Sequence, residues 1–227
     1  GIGRWDTLTP SPLSLDLKFW EKSNKKQLSN GKDSEVVIAH APNHRGCKGT
    51  EFIIKAIENL KKNGYKIKFL LIEKKQNFEV QKMLNQEVDI LVEQLIFTGF
   101  GLNGIEGMAT GITTISNLED KNYILPLRRW TYFSECPVVS SSPETIFITL
   151  KKLIDNPELR EELGNCGREY AKKYHSADFA RYLFSNIISY VYGEKKSIMD
   201  LFHPLNGNYL KDSKKISPPL KNNSLVD

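Results

Sequence analysis

Cysteine is scarce in this chain, and a long apolar run is absent. Cys47, Cys136 and Cys166 are its three cysteines; an odd number with no metal-type spacing argues against a disulfide framework and against a zinc cluster. Free thiols in a reducing cytoplasm fit that usage. No stretch approaches the roughly 18 consecutive apolar residues of a membrane span. The opening GIGRWDTLTP has no starting Met, no basic lead and no apolar core, so the chain reads as a piece of a longer protein. Arginine-rich stripes are lacking as well. The net charge of +5 comes from dispersed lysines, in pairs such as Lys25-Lys26, Lys61-Lys62 and Lys195-Lys196. Nucleic-acid binding needs that charge gathered on one element, so a solvated surface is the reading here.

What is present is an ordinary globular composition, 40% apolar and 26% charged, in a chain long enough for one domain with a substantial core. Residues 1–34 are rich in Pro, Ser, Asn and Lys. They read as a lead-in and linker with one apolar patch from Leu15 to Trp20. Val36-Val-Ile-Ala39 is a short β-branched run of the kind buried on both faces of a parallel sheet. A helical pattern follows, with Phe52, Ile53, Ala56, Ile57 and Leu60 on one face and Gly64 as its stop.

The alternation repeats. Further strands are predicted over Ile67–Ile72, Asp89–Val92, Ile112–Ile115 and Pro137–Val139, with a short helix over Glu79–Leu84. Another helix is opened by the loop at 98–104 and carries Ile105, Met108 and Ala109. Beyond Pro143 the pattern is wholly helical, roughly 143–155, 157–173 and 176–192. Strands alternating with helices predict an α/β fold: a Rossmann-like parallel sheet with helices on both faces, over residues 35–193. From Glu194 onward periodicity vanishes, and 194–227 reads as a flexible tail.

Two loops leave the carboxyl ends of strands, where open parallel sheets bind ligands. The first, His40 to Gly49, holds Arg45 and Lys48 beside glycines just before a helix start. That combination suits an anion: Arg forks two oxygens, Lys supplies a point charge and the helix start offers free N–H groups. A solvated turn with routine lysines is equally compatible. His40 and His44 flank the loop, either as ligand contacts or as structural side chains.

The second is TGFGLNGIEGMATG, residues 98–111. Gly99, Gly101 and Gly104 form a G-x-G-x-x-G, with Glu119 twenty residues beyond Gly99, the arithmetic of a dinucleotide loop. That fingerprint belongs to the first βαβ unit, whereas two βα units precede it here, so NAD(P) binding is the minor alternative. Glu106, one turn into the helix, could hold the vicinal hydroxyls of a ribose while the helix start holds a phosphate. The alternative is a Glu that merely complements the helix dipole.

Taken in order, HAPNHRGCKGTEFIIKAIENLKKNGYKIKFLLIE, DILVEQ, GFGLNGIEGMATG and NPELREELGNCGREYAKKYHS resemble the C-terminal, donor-binding half of GT-B glycosyltransferases. The chain is most similar to the large retaining type, group 1 or family 4, that includes enzymes of surface-polysaccharide synthesis. LSLDLKFW resembles the segment where the N-terminal half hands over, and the likeness covers residues 12–192. It implies a hexosyltransferase that moves sugar from a nucleotide-diphospho-sugar to a glycan or lipid-linked acceptor. Retention of configuration is implied, with no metal and no cofactor, the sugar nucleotide being a substrate.

By the same resemblance, Arg45 and Lys48 match the basic pair that grips the diphosphate, and Gly101, Leu102 and Asn103 match the backbone donors at the helix start. Glu106 matches the second Glu of a Glu–seven residues–Glu motif, which binds ribose hydroxyls. Thr98 stands where the first Glu would be and supplies no carboxylate. Residues 73–88 look shorter than the family's by one strand–helix unit. The acceptor-side catalytic residues would lie in an N-terminal half, so this chain alone is expected to bind donor and barely turn over. A cytoplasmic location follows, or a peripheral one through lipid-linked acceptors. Thr98 also favours an alternative, a non-catalytic sugar-nucleotide-binding module.

Overall fold

The computed structural model describes residues 13–25, 27–130, 132–197 and 214–226. Five parallel strands form one sheet in the order β2-β1-β3-β4-β5: β1 Val36–His40, β2 Ile67–Leu71, β3 Ile90–Thr98, β4 Thr113–Asn117 and β5 Val139–Ser140. The helices are α1 Arg45–Lys48, α2 Thr50–Lys62, α3 Asn77–Gln86, α4 Leu102–Thr110 and α5 Lys121–Trp130. The last three are α6 Ile146–Asp155, α7 Pro157–Tyr174 and α8 Ala177–Val191. Successive strand residues point to opposite faces, and the core divides accordingly. Ile90 and Val92 pack with α2 and α6 on one side. Leu91, between them, packs with α3, α4, α7 and α8 on the other. The expected Rossmann-like α/β sheet is therefore the fold, and among the described residues no helix is long and apolar enough to cross a membrane.

Several elements depart from the sequence reading, among them α1, which forms within the loop read over His40 to Gly49. β3 runs on to Thr98 instead of stopping at Val92, because side-chain amides satisfy the backbone where its ladder breaks. Gln94 donates to the carbonyls of Phe97 (3.1 Å) and Gly99 (2.9 Å), and Asn117 donates to Leu95 O at 2.7 Å. α5 was not expected, since Pro126 sits inside it and proline removes a helical hydrogen bond. The tail departs too. Residues 1–12 and 198–213 lie outside the described residues, but 214–226 dock on the domain, Ile216 N–H donating to Glu135 at 2.9 Å and Asn223 Nδ2 to Val138 O at 2.7 Å.

The lead-in packs as well. Trp20 is 2% exposed, and Leu15 N–H donates to His175 O at 2.8 Å. Arg160 on α7, fully buried, ties this segment down. Its guanidinium donates to Leu153 O (2.5 Å) and Ile154 O (3.0 Å) at the end of α6, and to Gln27 Oε1 (3.2 Å) and Ser29 O in the lead-in. Arg160→Met keeps the stem and orphans those buried acceptors, so a loss of about 3 kcal/mol is expected, read as a shifted urea midpoint. An unchanged midpoint would mean that water replaces the guanidinium at no cost.

Candidate functional site

In the order 2-1-3-4-5 the chain reverses direction between β1 and β3, and the loops leaving those two strands part to open a crevice. Such a cleft is there, about 500 Å³, and Lys48, Gly101, Leu102, Asn103 and Glu106 all line it. These are five of the six residues that the family resemblance assigns to the donor site. Lys74 and Lys75, which no sequence motif marks, lie at the same cleft. Lys74 holds a left-handed φ of 54°.

The helix start carries the polar end of the site. Gly101, the N-cap of α4, has no side chain of its own to cap the helix, and the first residues of α4 line the cleft, which brings the positive end of the helix dipole there. Glu106 follows on the inner side, 7% exposed. Asn103 Nδ2 donates to Glu106 Oε2 at 3.1 Å, and Asn103 Oδ1 is buried without a partner among the described residues. Burial pushes the Glu106 carboxyl above its usual range; the Asn103 donor opposes that and the nearby Glu93 charge adds to it. A half-dehydrated carboxylate with a free lone pair is a good acceptor for hydroxyl donors, because little water remains to be displaced.

Arg45 is the exception. Its guanidinium forks onto Glu73, with 2.8 Å from Nε to Oε1 and from Nη2 to Oε2, and Nη1 reaches Glu51 at 3.5 Å. It does not line the cleft. The forked bond holds Glu73 below the ordinary carboxylate range. Arg45 opens the single-turn helix α1, which projects it outward while Lys48, three residues on, turns inward.

Lys48 is not free either. Its ammonium sits 2.9 Å from Glu93 Oε1 and 2.7 Å from Gln94 Oε1, both on β3. Glu93 went unread in the sequence. The available signal was an acid inside the apolar run Leu91-Val92 to Leu95: a buried carboxylate demands a cation, and Lys48 is the one nearby.

The histidines resolve as structural. His40 Nδ1 lies 2.7 Å from Val92 O and Nε2 2.9 Å from Thr50 Oγ1. The neutral ring satisfies both by donating from Nδ1 and accepting the Thr50 hydroxyl at Nε2. Burial, the largest cause, takes its pKa down to about 4. His44 caps α1, Nδ1 accepting from Cys47 N–H at 3.4 Å. Glu119, the dinucleotide acid of the alternative reading, does not line the cleft and accepts from Thr145 at 3.3 Å. Among the described residues, no cluster of three or more His, Cys, Asp or Glu could hold a metal ion.

No protein-family model and no curated protein matches the sequence. Solved structures do. The C-terminal domain of a glycosyl transferase group 1 family protein, LpcC from Francisella tularensis, aligns with a TM-score of 0.53 at 18% identity, over 72% of this chain and 100% of that one. Sucrose-phosphate synthase from Thermosynechococcus elongatus gives 0.56 at 14% identity, over 81% of this chain and 52% of its own length. A variant of S. aureus TarM in complex with fondaparinux, alpha-GlcNAc-glycerol and UDP gives 0.56 at 15%, over 77% and 38%. This chain thus spans about half or less of the two longer proteins. Its described residues have the Rossmann-like α/β fold of the C-terminal domains of GT-B glycosyltransferases.

Proposed function

We propose that this chain is the donor-binding half of a glycosyltransferase, and that its cleft holds the nucleoside-diphosphate end of a sugar nucleotide. The observation that carries the reading is the convergence of Lys48, Gly101, Leu102, Asn103 and Glu106 on one cleft at the β1/β3 switch point. Glu106 accepts the ribose hydroxyls. The start of α4 and Lys48 receive the diphosphate, and Arg45 joins them by exchanging Glu73 for a phosphate oxygen. Positive groups fixed where the leaving diphosphate gains charge lower the barrier electrostatically, without a metal. The sugar passes, with retention, to a glycan or lipid-linked acceptor held by an N-terminal half. UDP in the TarM structure supports a nucleoside diphosphate as ligand class.

Thr98 at the end of β3 favours a second reading, a sugar-nucleotide binder without transfer. Hydrolysis of bound donor by the protein joined to its acceptor half separates the two, since a pure binder leaves the donor intact.

Calorimetric titration with UDP, GDP, ADP and NAD tests the site itself. One nucleoside diphosphate is expected to bind, and Glu106→Ala to weaken it about tenfold, or 1.4 kcal/mol. NAD binding indifferent to Glu106→Ala and Arg45→Ala would falsify the proposal. Lys48→Ala alone is a poor probe, because it strands a buried carboxylate and is expected to destabilise the fold.

A further inference from the structure

The amide that the proposed function assigns to a ligand phosphate already has an acceptor. Gly101 N–H donates to Glu93 Oε1 at 2.8 Å, the same oxygen that takes Lys48 Nζ at 2.9 Å. Ser116 Oγ approaches the other oxygen at 3.4 Å. Glu93 is 1% exposed and lines the cleft.

Its position is built by the sheet. Val92 pairs with Ile115 and Gln94 with Ser116, so β3 advances two residues where β4 advances one. Glu93 is the extra residue of that bulge, and bulges re-aim side chains. The glycines of the second loop complete the cradle. A Cβ on Gly104 would lie 2.7 Å from Glu93 Oε2, and one on Gly101 3.1 Å from Oε1. Gly101 and Gly104 therefore admit a carboxylate, and the G-x-G-x-x-G that resembles a dinucleotide loop wraps an anion of the protein's own.

We infer that Glu93 is an internal counter-anion that competes with a ligand phosphate for the Gly101 amide and the Lys48 ammonium, and so sets how tightly the cleft binds anionic ligands. The inference rests on the proposed reading of the site. An incoming phosphate must either displace Glu93 from both partners or sit beside its buried charge, and both weaken binding. A ligand without phosphate meets neither obstacle. Lys74 and Lys75 at the mouth then supply the first attraction for a diphosphate, with Lys75 shared with Glu79 at 2.9 Å.

The test is Glu93→Gln, which keeps the side chain's size and an oxygen for Gly101 N–H while removing the charge. Wild type and variant are titrated with UDP, GDP, ADP, inorganic pyrophosphate and the corresponding nucleosides. Tenfold or tighter binding of a nucleoside diphosphate and of pyrophosphate by the variant is expected, with nucleoside affinity moved less than twofold. Binding seen only in the variant supports the inference too. Glu93→Asp, which draws the carboxylate back by one methylene, is expected to give a smaller gain of the same sign and serves if the Gln variant fails to fold. Equal or weaker binding by the variants overturns the inference, and leaves the donor-site reading intact if Glu106→Ala still weakens the wild type. Silence from every protein and every ligand overturns both.

Discussion

Stability is expected to fall by about 3 kcal/mol or more as pH drops from 6.5 to 4, most of it through His40. Its folded pKa is depressed to about 4 from 6.5, so the unfolded chain takes up a proton over this window while the folded protein does not. Stabilisation is fully present above 6.5 and is lost as pH falls towards the folded value, at up to 1.36 kcal/mol per unit. His175 is depressed to about 4 for the same reason, burial. It is half-buried, so its contribution has the same sign and a smaller weight. Glu106 acts in the opposite direction, because its raised pKa means that acid relieves a strained carboxylate. Urea unfolding at several pH values measures the slope. His40→Gln is expected to lower stability at neutral pH and flatten the slope. A wild-type profile already flat between 6.5 and 4 would show that His40 protonates as readily in the folded state, and the neutral, doubly bonded ring would be wrong.

Gly164→Ala is the second large effect. An added Cβ would stand 2.1 Å from Gly111 O and 2.9 Å from Gly111 C, where α7 crosses the end of α4. Both obstacles are backbone, so no rotamer change relieves them and the helices must separate. A cost of about 3 kcal/mol follows, at the upper end for overpacking. The displacement reaches the cleft, since α4 carries Asn103 and Glu106, so ligand binding should weaken along with the urea midpoint. Gly46→Ala is the control: its Cβ would meet only the His44 ring, at 3.6 Å, and stability should stay level or rise slightly. Equal, small effects at both positions would mean that the α4–α7 crossing is looser than drawn.

Much of the fold was legible because its inner strands, β1, β3 and β4, are largely buried on both faces. Val36–Ala39 is a continuous apolar run, Ile67–Ile72 is one broken only by Lys68, and a helix with one apolar stripe lies between them. Legibility failed where polar residues do backbone work. Glu93 and Gln94 look like the end of a strand, yet Gln94 bonds the carbonyls that let β3 continue. Pro126 masks α5. In the cleft, Glu106 and the Gly101 loop could be picked out because a helix start after a strand has its own physics. The pairing of Arg45 with Glu73 and of Lys48 with Glu93 could not, since it joins residues 28 and 45 positions apart. Spacing shows which groups carry charge; only the fold shows which charges are already spoken for.

The order β2-β1-β3-β4-β5 leaves two strands on the outside of the sheet. A bare outer strand offers unpaired amides to any other chain that drifts past. On the β5 side that offer is withdrawn by Ser224, which bridges Ser140 in parallel, and by Asn223, which takes up the carbonyls of Cys136 and Val138. Colloidal behaviour, the resistance of concentrated protein to stacking sheet on sheet edge, is in this way delegated to residues far along the chain from the strand they shield. A stretch whose Leu220 and Leu225 pack at the margin of the core thereby also keeps one molecule from becoming the template for the next.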